Sequence, residues 1–158
     1  MRVTIVADGR PVPQGSMVAS YNRKQGVSHV HHVQGSALAL WRAIIREAAA
    51  AQMVGKPSAL PVAITVTFGM PRPKAHLELR GGRYVVRMLH YYDRPARQPD
   101  LDKLVRAVLD ALTGVCYTDD SQVVELNASK VYGDETRIEI TDDIATPQQT
   151  LAFGMEQG

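Results

Sequence analysis

Cysteine is almost missing from this 158-residue chain: Cys116 stands alone, so an internal disulfide and a cysteine-built zinc site are excluded and the thiol reads as a small hydrophobe. Long apolar runs are missing too. The uncharged stretch from Pro57 to Pro71 is 15 residues long and contains Pro61, whereas a membrane-spanning helix needs about 20 apolar residues. Behind Met1 and Arg2 the apolar run lasts only from Val3 to Ala7, too short for the core of a secretory signal, so the cytoplasm is the expected compartment. There are no internal repeats, no low-complexity tracts and no break in composition, hence no basis for a second domain. What is present is 45% hydrophobic and 22% charged, which suffices for one folded domain with its own core.

Periodicity predicts an α+β domain over residues 1–143 and a patternless tail, 144–158, read as flexible or as a docking arm. Residues 2–8 alternate as a strand that Gly9-Arg10-Pro11 ends. Met17–Tyr21 and Val27–Val33 read as a hairpin around Asn22–Gly26. Ser36 is placed to cap a helix running to about Val54, with Ala37, Trp41, Ile44, Ile45, Ala48 and Gln52 as its apolar stripe. Trp41 and Ile44 are read as core, and Arg42 and Arg46 on the other face as solubilising charge in preference to a phosphate-facing pair. Leu60–Phe68, rich in β-branched residues, is expected to be a central strand. Leu101, Leu104, Val105, Val108, Leu109 and Leu112 mark the buried face of a second helix, which Gly114 ends. Gln122–Tyr132 and Thr136–Thr141 alternate as two more strands.

Charge is segregated along the chain. From Arg72 to Arg106 nine basic residues face four acidic ones, and from Asp119 onward nine acidic residues face only Lys130 and Arg137. A basic excursion is the footprint expected for a polyanion, although a solvated loop has the same look. Pro71 to Pro99, with a hairpin around Gly81-Gly82, is a long connection of the kind that carries function, expected to order on a ligand. Directly after it four acidic residues bracket the second helix. Asp100 and Asp102, two apart in an extended segment, project to one side and can share a divalent cation. The helix rises about 18 Å, and an extended return from Gly114 can reach about 23 Å, so Asp120 is expected to rejoin them. The commonplace alternatives are helix caps, a turn at Asp119-Asp120-Ser121, and i,i+4 ion pairs along Asp102, Arg106 and Asp110. A carboxylate cluster beside a basic strap is what metal-assisted phosphodiester cleavage requires.

Asp100-Leu101-Asp102, Leu104, Asp110-Ala111-Leu112 and Asp119-Asp120-x-Gln122-Val123 closely resemble the signature of the RusA family of Holliday junction resolvases, phage-type members above all. Gly9-Arg10-Pro11-Val12-Pro13-Gln14-Gly15-Ser16 resembles that family's entry loop, and the order of elements fits over about residues 3–141. The resemblance implies a mixed β-sheet with two main helices, an intertwined homodimer, and a Mg2+-dependent endonuclease, with Mn2+ as a substitute, that makes paired cuts across a four-way DNA junction in a bacterial or phage-infected cell. Asp100, Asp102 and Asp120 match the family's three essential carboxylates, which makes them the expected metal ligands; Asp119 is a weaker candidate. Lys103 stands where the family usually has Asn, and Arg106 where it has a functional Lys. Arg does not release a proton near neutral pH, so Arg106 is expected in the catalytic set as a phosphate clamp only.

The expected chemistry is in-line hydrolysis to 5′-phosphate and 3′-hydroxyl ends, with Arg72, Lys74, Arg94, Arg97, Lys103 and Arg106 on the DNA and no membrane or small-molecule cofactor involved. Two other readings are a DNA-binding protein without catalysis and a less selective branched-DNA nuclease. His29 and His31 share a strand face but lack further ligands, so no metal is assigned to them. Tyr91 and Tyr92 could stack on opened bases or anchor the strap.

Overall fold

A computed structural model describes residues 1–15 and 35–144 in full and residues 17–22 and 27–32 as backbone. Ten elements follow the chain: β1 (Arg2–Asp8), β2 (Met17–Asn22), β3 (Val27–His32), α1 (Gly35–Gln52), β4 (Val62–Met70), β5 (Leu77–Arg80), β6 (Arg83–Val86), α2 (Leu101–Leu112), β7 (Val123–Tyr132) and β8 (Glu135–Thr141). The α+β expectation of a mixed sheet with two helices holds. Four strands lie in the order β1-β8-β4-β7, with β4 parallel to β7 and every other pairing antiparallel. Strand alternation decides which face is covered: Val3, Ile5 and Ala7, Ile64, Val66 and Phe68, and Ile138 and Ile140 all point into the core, while Thr4, Thr65, Arg137 and Glu139 face outward. β2 and β3 pair as a separate hairpin, and β5 and β6 as another. The tail from residue 145, and the side chains of His29 and His31, lie outside the described residues.

Both helices pack on the apolar face of the sheet. Leu104, Val105, Val108 and Leu112 of α2 are buried as their spacing predicts, joined by Ala107 and Ala111, small enough to let neighbouring backbone close in. On α1 the buried stripe is Leu38, Trp41, Ile45 and Ala49, with Ile44 and Ala48 at its margin; Ala37 and Gln52 are exposed, which corrects their predicted place in the core. Cys116 is buried and its thiol is pushed up to about 11 by desolvation, in keeping with a structural hydrophobe.

β7 and β8 are consecutive yet do not pair, because β4 lies between them. The link of Gly133 and Asp134 therefore steps across the end of β4, and Gly133 N–H donates to the Met70 carbonyl at 3.0 Å. Gly69 makes the crossing possible: a Cβ there would sit 2.2 Å from the Glu135 carbonyl oxygen and 2.8 Å from its nitrogen. Backbone on the opposing side cannot yield as a flexible side chain would, so Gly69→Ala is expected to cost about 1–3 kcal/mol, measured as a lower denaturation midpoint in urea.

Candidate active site

The residues at the start of α2 sit on a rim formed by three parts of the chain. The Pro11–Gly15 loop folds over the helix, with Gln14 N–H donating to the Lys103 carbonyl at 3.0 Å. Arg10, Val12, Pro13 and Gly15 then share an open cleft of about 570 Å3 with Pro99, Asp100 and Lys103. Lys130 on β7 closes the rim from the sheet side: its ammonium donates to the carbonyls of Arg97 at 2.8 Å and Pro99 at 3.0 Å, fixing the approach to the helix. Lys130 was not among the sequence candidates, since a lone lysine on an alternating strand carries no signal of what its Nζ will hold.

Asp100 precedes α2 with an extended backbone and makes no side-chain cap bond, so the capping alternative does not apply to it. Its Oδ2 instead lies 2.8 Å from the Lys103 ammonium, and this bond, with Lys130 behind it, holds the Asp100 carboxyl below its ordinary value. Asp102, in the first helical turn, is exposed, as is Arg106 one turn on. No ion pair engages Arg106 among the described residues: Asp110, the predicted i+4 partner, is taken by Arg42 of α1. Arg42 also donates to Gln14 Oε1 at 2.6 Å, and Arg46 to the carbonyls of Ala111 and Asp110. These arginines lace α1, α2 and the entry loop together, a structural duty in place of the solubilising one expected.

Asp119 and Asp120 are separated in role by one turn. Asp119 accepts from Ser121 N–H at 2.8 Å while Gln122 Oε1 accepts from Asp119 N–H, a reciprocal cap that lowers the Asp119 carboxyl's pKa. That capping duty leaves Asp120 exposed and free of it. Within one protomer, however, Asp120 does not rejoin Asp100 and Asp102. The return after α2 is folded, not extended: Val115 and Cys116 N–H both donate to the Leu112 carbonyl, and Tyr117 O–H donates to the Leu109 carbonyl at 3.1 Å. Gln122 is bonded to the carbonyls of Ser58 and Leu60, at the start of β4. Asp120 thus stays with Tyr117 and Asp110 by the C-terminal end of α2, and its carboxylate is not gathered with those of Asp100 and Asp102. Among the described residues, the histidine and carboxylate atoms that gather within 4.8 Å are those of His76, His90 and Asp93, none of them a predicted ligand.

The strap from 71 to 99 carries the hairpin expected around Gly81-Gly82. Two single turns, 74–76 and 88–90, flank the β5–β6 hairpin, whose tip of Gly81 and Gly82 adopts the positive φ a tight turn demands. Arg72 is committed at its root, donating to the His90 carbonyl at 2.7 Å with its guanidinium 4.2 Å over the Tyr132 ring. Lys74, Arg94 and Arg97 are exposed, together with Tyr91 and Tyr92, whose rings meet edge to face at 5.1 Å.

Comparison with known proteins bears on this arrangement directly. A 47-residue stretch is 51% identical to the Uncharacterized protein YqaN of Bacillus subtilis (strain 168), a match that covers 30% of this chain and 33% of that protein's length. Residues 8–141 match the model of the family described as Endodeoxyribonuclease RusA, from the end of β1 to the end of β8. Spanning the entry loop, both helices and the acidic turn in a single match, the chain belongs to the RusA endodeoxyribonuclease family.

Proposed function

We propose that the protein is a Mg2+-dependent endonuclease that resolves four-way DNA junctions by paired, symmetric nicks, working as a two-fold homodimer. The observation that carries this reading is the pair Asp100 and Asp102, neither used as a helix cap and both exposed at a rim flanked by Lys103, Arg106 and the basic strap. Asp100 already holds a cation, the Lys103 ammonium at 2.8 Å, and offers hard oxygen of the type Mg2+ selects. Asp100 and Asp102 would hold such an ion, and the chemistry it would supply is an acidified water and polarisation of the scissile phosphate. Lys103, which pairs with Asp100, and the exposed Arg106 would face the phosphate held at this rim, Arg106 clamping the negative charge that grows on it. Hydrolysis leaves 5′-phosphate and 3′-hydroxyl ends.

The third carboxylate comes from the partner. β7 is an edge strand of ten residues, unpaired on its outer side among the described residues, with Val124 59% and Leu126 44% exposed. Such an edge invites pairing with a like strand. Antiparallel pairing about a two-fold axis, in a register that sets the two ends of β7 against each other, would carry the partner's Asp120 towards the end of β7 where Lys130 reaches Pro99. Each site is then built by two chains, and the two sites cut strands of like polarity.

End-labelled synthetic four-way junctions, forks and linear duplexes, incubated with and without Mg2+, test the reading. Paired nicks at symmetric positions in the junction, dependent on the ion, are expected. Binding without any nick would identify a non-cleaving DNA-binding protein instead, and equal cutting of forks a less selective nuclease.

A further inference from the structure

The root of the strap carries a second cluster that the nuclease reading does not use. His76 lies in the turn before β5 and His90 in the turn after β6, and their rings stack at 4.0 Å between centroids, 7° from parallel. Asp93 faces both: its Oδ2 is 2.8 Å from His90 Nδ1 and 3.8 Å from His76 Nδ1. The second separation is too long for a hydrogen bond, and His76 Nδ1 is buried without a partner. Two imidazole nitrogens and one carboxylate, with ligand atoms within 4.8 Å of one another, are therefore gathered around a point where one ring nitrogen has no partner.

We infer that His76, His90 and Asp93 form a separate metal site for a borderline divalent cation, Zn2+ in preference to Mg2+, which clips the base of the β5–β6 arm. Imidazole is a poor ligand for Mg2+ and a good one for Zn2+. A tetrahedral ion with bonds of about 2.0–2.2 Å holds its ligand atoms about 3.3 Å apart, between the 2.8 and 3.8 Å observed, so small shifts of the side chains suffice. The two rings would tilt out of their stack to aim each Nδ1 at the ion. Three protein ligands leave a position for water.

The consequence for the arm is mechanical. Arg87 N–H donates to the His76 carbonyl at 2.9 Å, Arg72 holds the His90 carbonyl, and the His76 ring meets the Tyr132 ring edge-on at 5.7 Å. An ion joining His76 to His90 closes the two feet of the hairpin against the end of β7, and so fixes the direction in which Arg80, Arg83 and Arg87 are presented.

The test uses the full chain, stripped with chelator and dialysed against Zn2+ in excess Mg2+, with bound zinc counted by elemental analysis. One zinc per chain is expected in the unaltered protein and in Asp102→Asn, and none in the double variant His76→Ala/His90→Ala. Zinc lost in Asp102→Asn, or retained equally by the double variant, would overturn the site. Co2+ added to the unaltered protein gives a reading that does not depend on how a variant folds. An intense visible spectrum of a four- or five-coordinate, nitrogen-ligated ion supports the site, and the weak spectrum of the hydrated ion counts against it.

Discussion

Asp102→Asn is expected to leave four-way junctions bound and uncut. The substitution keeps the shape of an exposed side chain in the first turn of α2 and removes one negative charge from the proposed metal site. Loss of a single stabilising hydrogen-bond donor costs about 10²–10³ in rate, and loss of a metal-holding carboxylate is expected to exceed it, because water activation and phosphate polarisation fail together. Affinity is expected to rise or stay level, since a carboxylate is removed from beside Lys103 and Arg106, the proposed phosphate contacts. Gel-shift titration and nicking rates measured on the same junction separate the two effects; cleavage at the unaltered rate would remove Asp102 from the site.

Mixing two dead variants is expected to restore life. In the proposed homodimer, Asp102→Asn and Asp120→Asn are each expected to inactivate both sites of their own dimer. In a mixed dimer the outcome depends on which chain supplies Asp120. If it comes from the partner, one site collects both substitutions and the other collects neither, so an equal mixture recovers about a quarter of the normal number of intact sites. If it comes from the same chain, every site carries one lesion and nothing is recovered. The measurement is nicking of one junction strand after co-refolding, against each variant refolded alone. The geometry behind the expectation is the folded turn at Gly114–Tyr117, which keeps Asp120 beside the C-terminal end of α2.

Most of the fold was legible because local pattern and tertiary burial agree. The alternation in residues 2–8 and the i, i+3, i+4 spacing of α2 survive unchanged, since both lie flat against one apolar layer. The stripe expected on α1 is slightly rotated from the buried one: alanines mark a helix well but say little about which side is buried, and Leu38 and Ala49, not Ala37 and Gln52, meet the core. The acidic residues were found by type and spacing, but whether they meet was not legible. Reach sets only an upper bound on where a segment goes, and the Leu112 carbonyl, accepting two N–H groups, turned the return on itself. His76, His90 and Asp93 escaped notice for a related reason. They are spread over 18 residues with a hairpin between them, and only closure of β5 on β6 brings them together.

The two-partner grip of Arg42 changes how substitutions in this family signature should be interpreted. Its guanidinium binds Asp110 on α2 and Gln14 in the loop that roofs the cleft, so a signature aspartate serves as an anchor for the roof. Replacing Asp110 would free that arginine, loosen the roof, and imitate a lesion in the chemistry from a carboxylate two helical turns along α2 from Asp102. A residue scan scored by turnover alone would therefore enrol an architectural residue among the catalysts.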